Sequence, residues 1–402
     1  MPRWILSGLG LLLVSCATTE TVPQNLAQTA LVVDTHIDVP YRLHRVPADV
    51  AESTDGGDFD YPRAMAGGLN AAFMSIYIPA AVDEAGEAFA FAEQLIDQIE
   101  SLATRAPTRF VVTTCTTDVQ QVLGTSTLAL PLGMENGGPI MGSMEKLKHF
   151  RDRGVRYITL THSKSNHIAD SSYDDNRRWQ GLSEFGKRLI PEMNRLGIMV
   201  DVSHVSDAAF WQALELSQVP VIASHSSLRH FTPGFERNMS DDMVRALGKA
   251  GGVIQINYGS SFLTADAQAY SRAAQAAAAA YRAEQDLAAD APELKTFALE
   301  YRAQNPYPRA QLNDVLDHID RAVSLAGIDA VGVGSDYDGV GDSLPTGLED
   351  VSSYPNLVAG LRGRDYGDEA IEKILGANVM RVWRQVESYA AAQGQPPQCR
   401  GA

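Results

Sequence analysis

At 402 residues, with 45% hydrophobic and 20% charged side chains, the chain can bury a large core and has a globular composition. A formal net charge of −16 argues against nucleic acid or an anionic membrane surface as partner, since both need a basic face. Three cysteines are too few for a disulfide scaffold or a cysteine-rich zinc module.

The first sixteen residues, "MPRWILSGLGLLLVSC", place one positive residue, Arg3, before a short apolar run. That pattern predicts a signal peptide, too short for a membrane-spanning helix. Leu13-Val14-Ser15-Cys16 resembles the bacterial lipobox, in which Cys16 is lipidated and becomes the mature N-terminus. Ala17 is not the aspartate that sorting reads as inner-membrane retention, so the expected location is the periplasmic side of the outer membrane, with the lipid anchor as the sole membrane contact. Residues 17–29 read as a tether, 30–390 as one domain and 391–402 as a C-terminal tail.

"LVVDTHIDVP", residues 31–40, holds the first strand candidate. Asp34, His36 and Asp38 alternate along it, so a period of two turns all three toward one face. Further strands are expected at 70–78, 128–135, 156–162, 199–204, 220–225, 251–258 and 330–336, apolar and largely β-branched as buried parallel strands are. Helical spacing runs through 84–104, 143–153, 182–196, 206–217, 240–249 and 313–326, with Ser183 and Ser206 as N-caps and 366–388 as a last helix. Strands alternating with helices predict an α/β protein, a single (β/α)8 TIM-type barrel. No Gly-rich nucleotide fingerprint follows any strand.

Two segments exceed ordinary loop lengths, 40–69 after the first strand and 262–311 after the seventh. The second is alanine-rich and predicts a long helical insertion. Both leave strand C-termini, so both stand on the catalytic face of a barrel, as a lid or as an oligomer contact such as that of a homodimer; a helical excursion with no role in the chemistry is an equal reading of the alanine-rich one.

The polar residues fall at those same ends. His36 and Asp38 close the first strand, Glu135 the third, His162 the fourth, His204 the fifth, His225 the sixth and Asp336 the eighth. This predicts a metal site. Imidazole and carboxylate without thiolate suit zinc, and also manganese, iron or cobalt. Three histidines, one aspartate and one glutamate exceed the needs of a single catalytic zinc and fit two ions roughly 3.5–4 Å apart, with Glu135 as the natural bridge. No lysine ends the fourth strand; Lys164 is the nearest substitute for a carboxylated-lysine bridge.

On these residues the chain resembles the membrane (renal) dipeptidase family, zinc peptidases of the amidohydrolase type. The resemblance runs from about 31 to 388 through "DTHID", "GMENG", "ITLTHSKSNHIADS", "GLSEFGKRLIPEMNRLGIMVDVSHVS", "VIASHSS", "RNMSDDM", "VGVGSDYDGV" and "LEDVSSYPNL". It implies a binuclear zinc dipeptidase that cleaves dipeptides with a free C-terminal carboxylate. His36 and Asp38 would hold one ion, His204 and His225 the other, and Glu135 both. It further implies that His162 meets the substrate carbonyl, Arg237 the substrate carboxylate and Asp336 the proton in transit. The segment Lys164–His167 departs from the animal enzymes, and their cysteine pattern is absent.

Other readings stand beside this one: a related barrel metallohydrolase acting on a lactam, an ester or an N-acyl amino acid, or a catalytically silent lipoprotein, against which the intact ligand set argues. Asp34 is expected to support strand packing or a histidine ligand. His167 and His230 read as surface or subsite residues, His44, His149 and His318 as structural, and Asp338 as shaping the turn after Asp336. Cys115 and Cys399 can pair in an oxidising compartment, although spacing does not place them within reach of each other.

Overall fold

The computed structural model describes Met1, residues 26–288 and residues 291–400. Cys16 and the expected lipobox lie outside the described residues. Ten strands form one sheet: β1 (Val32–Ile37), β2 (Leu69–Tyr77), β3 (Phe110–Val111), β4 (Leu128–Ala129), β5 (Leu132–Glu135), β6 (Val155–Thr159), β7 (Met199–Asp201), β8 (Ile222–Ser226), β9 (Val253–Ile256) and β10 (Val331–Val333). Every pairing is parallel, in the order β10-β9-β8-β7-β6-β5-β2, with β1 on β2. The Asp336 amide donates to His36 O (3.0 Å) and the Asp38 amide to Tyr337 O (2.8 Å), which joins β1 to the chain leaving β10. The expected eight-strand α/β barrel is the fold, with β3 and β4 added outside the ring.

Alternate residues along the strands serve two cores, as a period of two requires. Val33, Phe73, Tyr157, Met199, Ile222 and Val253 pack together with Met380 and Trp383 of the last helix. Their neighbours Val32, Ile158, Val200 and Ile254 instead join Leu95, Leu147, Leu189 and Ile319 from the helices. The helices begin where small hydroxyls cap them: Ser183 Oγ accepts from the Gly186 amide (3.0 Å) and Ser206 Oγ from the Ala209 amide (3.2 Å).

The structure corrects several boundaries. The strand expected at 128–135 is two strands broken at Leu130 and Pro131, because proline has no N–H to continue a ladder. β6, β7 and β10 stop at Thr159, Asp201 and Val333, so His162, His204 and Asp336 sit on the turns beyond them. His204 (φ 66°) and Asp336 (φ 65°) adopt left-handed backbone, which no ladder can follow. The last helix is two pieces, Asp368–Glu372 and Asn378–Ala392, joined by a wider turn over Lys373–Ala377. There Gly376 passes under β1, where a Cβ would meet Leu31 O at 2.5 Å.

The alanine-rich insertion is helical as expected, in two helices, Ala265–Glu284 and Pro292–Gln304. Both ends of the domain are docked. Leu26 and Ala27 are buried, and Cys399 is disulfide-bonded to Cys115. Among the described residues no helix is long and apolar enough to cross a membrane.

His318, on the helix Leu312–Ala326, is structural. Its Nδ1 accepts from the Leu228 amide (3.0 Å) and its Nε2 faces Leu263 O (3.0 Å), which fixes a neutral ring with the proton on Nε2. Burial pushes its pKa down to about 4. An unfolded chain at about 6.5 binds more protons between those values, so stability falls as the pH drops through that window. The predicted loss from this one ring is of the order of 3 kcal/mol by the bottom of the window. His318→Asn cannot take up the proton; urea unfolding across that range should show a shallower decline for the variant, and identical slopes would contradict the assignment.

Candidate metal centre

The strand ends converge on one carboxylate. Glu135 closes β5 with 4% of its surface exposed, and its two oxygens face different partners. Oε2 lies 3.5 Å from His36 Nε2, which is 3.4 Å from Asp38 Oδ2. Oε1 lies 3.0 Å from His204 Nε2 and 3.2 Å from His225 Nε2, while those two nitrogens are 2.8 Å apart. His162 Nε2 stands 3.5 Å from the same Oε1. Ligand-capable atoms therefore form overlapping groups: His36, Glu135 and His225; Glu135, His162 and His204; His36, Asp38 and Asp336. The set is wider than the five residues expected from sequence, since it takes in His162 and Asp336.

Electrostatics show what the cavity attracts. Burial alone would raise the Glu135 pKa, but His36, His162, His204 and His225 outweigh it and hold the carboxyl well below the ordinary value. Burial also opposes charge on His36, yet Tyr157, Glu135 and Asp38 overcome it and lift that pKa well above normal. Between these carboxylates a cation is favoured. His204 and His225 are driven well below the ordinary value, first by burial, with Arg237 and His162 adding at His204 and His36 at His225. They present neutral lone pairs. His36 Nε2 and Asp38 Oδ1 are buried without a hydrogen-bond partner among the described residues. Imidazole and carboxylate donors left in this way fit a divalent metal, zinc among others.

Neighbours outside the cluster set the direction of the rings. Tyr157 Oη donates to Thr35 O (3.0 Å) and lies 2.8 Å from His36 Nδ1. The single hydroxyl proton is spent on a carbonyl that can only accept, so His36 donates from Nδ1, and Nε2 is the nitrogen left for a metal ion. Asp34 is turned away from the cluster. Its Oδ1 accepts from the amides of His36 and Ser335 (both 3.0 Å) and its Oδ2 from Tyr354 Oη (2.7 Å). A register shift between Asp34 and Ile37 breaks the strict alternation that would have put it beside His36.

Asp336 is held through Oδ2 by Asn257 Nδ2 (2.7 Å), and burial pushes its pKa well above the ordinary value, opposed by His36 and reinforced by Asp38 and Glu135. Arg237 is 3% exposed, donates to Ser226 Oγ (2.8 Å) and His225 O (2.6 Å), and approaches His204 Nε2 at 3.0 Å. It lies 5.3 Å from the ring of Phe262, which lines a cleft of about 980 Å³ above the cluster. Asp38, Glu135, His162, His204 and Asp336 line that cleft, and Arg237 sits beside it against His204 and Phe262.

Lys164 sits 3.9 Å from Asp174, half exposed and away from the cluster. His167 packs on Phe185, and His149 pairs with Glu93 (3.0 Å). Asp338 shapes its turn as expected and also ties the 40–69 segment down, through Arg42 Nε (2.9 Å) and the Asp58 amide (2.6 Å). Sequence reasoning missed Tyr157, Asn257 and Gly339. Tyr157 shares the parity of Thr159 on a buried strand, a signal that it faces inward. A Cβ on Gly339 would lie 2.2 Å from both Asp38 Oδ2 and Asp336 Oδ1.

The family described as Membrane dipeptidase (Peptidase family M19) matches residues 21–396. The chain is 32% identical over 344 residues to Dipeptidase tcpJ of Claviceps purpurea, covering 84% of this chain and 71% of that protein. It is 30% identical over 375 residues to Dipeptidase 3 of Mus musculus, covering 91% of this chain and 66% of that protein. Among solved structures, the probable dipeptidase PvdM of Pseudomonas aeruginosa superposes with a TM-score of 0.78 at 28% identity, over 91% of this chain and 97% of that one.

Gly339 gives a selective probe, because it is exposed and its backbone suits alanine. Gly339→Ala should leave far-UV circular dichroism and melting unchanged while weakening metal binding by about 10–100-fold, the scale of a disturbed ligand support. Chelator competition measures it. Wild-type affinity in the variant would mean that Asp38 need not hold its present place.

Proposed function

The chain belongs to the membrane dipeptidase family of metallopeptidases, and from that premise we propose that it hydrolyses dipeptides bearing a free C-terminal carboxylate at a binuclear, zinc-type centre. The observation that carries the reading is the division of Glu135: one oxygen toward His36 and Asp38, the other toward His204 and His225. A carboxylate shared in this way is suited to two cations. When bound, such ions would bring the pKa of water toward ~7 and draw electrons from the scissile carbonyl.

The remaining work falls to this chain's own side chains. Asn257 occupies Asp336 Oδ2, which leaves Oδ1 facing Asp38 and the cleft. There it takes the proton of the attacking water and returns it to the leaving amine, general base and then general acid. His162, its ring packed edge-on to Tyr77 (centroids 4.7 Å apart), offers an N–H to the oxyanion that develops on the carbonyl. Arg237 donates one N–H to Ser226 and one to His225 O and turns a third toward His204 Nε2, so Nε–H and one N–H on Nη1 remain uncommitted. A guanidinium placed here would meet the free C-terminus of a substrate with a charge-assisted hydrogen bond, in a planar geometry that lysine would match less well.

Two variants test these roles. Asp336→Asn should retain metal and substrate affinity while the turnover number falls by about 10²–10⁴, the scale of a lost general acid–base. Near-normal turnover at full metal occupancy would remove Asp336 from the mechanism. Arg237→Met should cut kcat/KM severely on a free dipeptide and hardly change the already poor value on its C-terminal amide, because both changes delete one interaction. Equal losses on acid and amide would show that Arg237 serves the loop and that another group reads the carboxylate.

A further inference from the structure

The histidine that faces Glu135 from β8 is backed by a chain of hydrogen bonds that ends on a buried carboxylate. Asp201, the last residue of β7, has no solvent exposure and lies outside the groups of ligand-capable side chains. Four donors aim at it. Oδ1 accepts from the amides of Ser203 (3.0 Å) and Ser224 (2.8 Å); Oδ2 accepts from Ser224 Oγ (2.6 Å) and from Thr159 Oγ1. A carboxylate surrounded by donors alone is satisfied as an acceptor and has no proton to give. Ser224 Oγ, its own proton committed to Asp201, lies 2.8 Å from His225 Nδ1. The hydroxyl can only accept there, so the ring proton belongs on Nδ1. Nε2 is left bare, 3.2 Å from Glu135 Oε1.

We propose that Asp201 is a positioning residue which, through Ser224, fixes the His225 tautomer and aims its Nε2 lone pair at the cation site beside Glu135. This rests on the metal-centre reading above. His36 reaches the same tautomer by a neutral route, Tyr157 and the Thr35 carbonyl, whereas His204 Nδ1 has no partner among the described residues. Of the three imidazoles proposed as metal ligands, His36, His204 and His225, the last alone is therefore backed by a negative charge. Partners of this kind hold the ring in place and strengthen it as a donor.

Asp201→Asn reverses the relay without changing its shape. The two backbone amides at Oδ1 force the new side chain to keep oxygen there, so its NH2 faces Ser224 Oγ. The serine proton must then turn to His225 Nδ1, and the ring carries its own proton on Nε2, where the metal should bind. The same substitution behind a catalytic histidine imposes the wrong tautomer. Zinc titrated into metal-free protein against a chromophoric chelator should show one binding step weakened by about 10–100-fold. Ser224→Ala should weaken the same step, and the double variant no further, because both break one chain; two independent packing defects would add. In ¹⁵N spectra of the metal-free wild type, with the signal assigned through His225→Asn, Nδ1 should be the protonated nitrogen.

Unchanged zinc affinity in Asp201→Asn, additive losses, or a wild-type His225 protonated on Nε2 would each overturn the proposal. The wild-type spectrum decides even if a variant fails to fold. A wild type that binds no zinc would sink the metal-centre reading instead, and the imidazole spectrum would still judge the relay.

Discussion

A carboxylate buried at the heart of a barrel is the constraint around which the upper half of this molecule is arranged. Glu135 keeps 4% of its surface, and an uncompensated charge there would cost several kcal/mol. Four histidines from different strand ends surround it, and two of them, His204 and His225, are held neutral by their own burial. Neutral rings supply lone pairs but no charge. Asp38 and Asp336 add further acceptors to the same space. The result is a cavity rich in donor atoms and short of positive charge, and this electrostatic deficit is what makes it a place for divalent ions.

The barrel places these groups by ending its strands early. β7 and β10 stop short, and the chain turns through left-handed backbone at His204 and Asp336, as it does at Asn136 and Asp338. Such conformations cost of the order of 1–3 kcal/mol each for residues with a Cβ, although asparagine and aspartate tolerate them best. They swing the side chain over the mouth of the barrel, which a regular strand would not do. Rigidity comes from below, where Trp383 and Met380 pack against inward residues of the strands. From the side, Arg42, Asp58 and Asp338 tie the 40–69 segment to the loop that carries Asp336. The helical insertion contributes Ser271, Gln275 and Tyr307 to the wall of the cleft, so its place in the sequence, after the seventh barrel strand, has a functional consequence.

The alternation of buried strands with capped helices made the barrel legible, and polar residues at successive strand ends made the site legible as a group. Finer relations were not. Strict alternation put Asp34 with His36 and Asp38, but the register shift after Asp34 gives it to Ser335 and Tyr354, residues some three hundred positions away. Tyr157 and Asp201 act through single hydrogen bonds to side chains on other strands, and such pairings leave no periodic trace. Asp201 and Ser224 lie inside runs where the eye goes to the histidines that follow them. Arg237 entered through family resemblance alone, because nothing in its loop announces a buried guanidinium beside His204. The docked C-terminus was equally hidden: Cys115 and Cys399 are 284 residues apart in sequence, and only the folded barrel brings them together.

The proposed centre places two cations on one carboxylate, Glu135. The most direct test is anomalous diffraction at the zinc absorption edge from crystals of zinc-reconstituted protein. A binuclear centre should give two peaks roughly 3.5–4 Å apart. Each should lie ~2.0–2.2 Å from a different oxygen of Glu135, one beside His36 and Asp38 and the other beside His204 and His225. A single peak at saturating zinc, or two peaks of which only one touches Glu135, would contradict it.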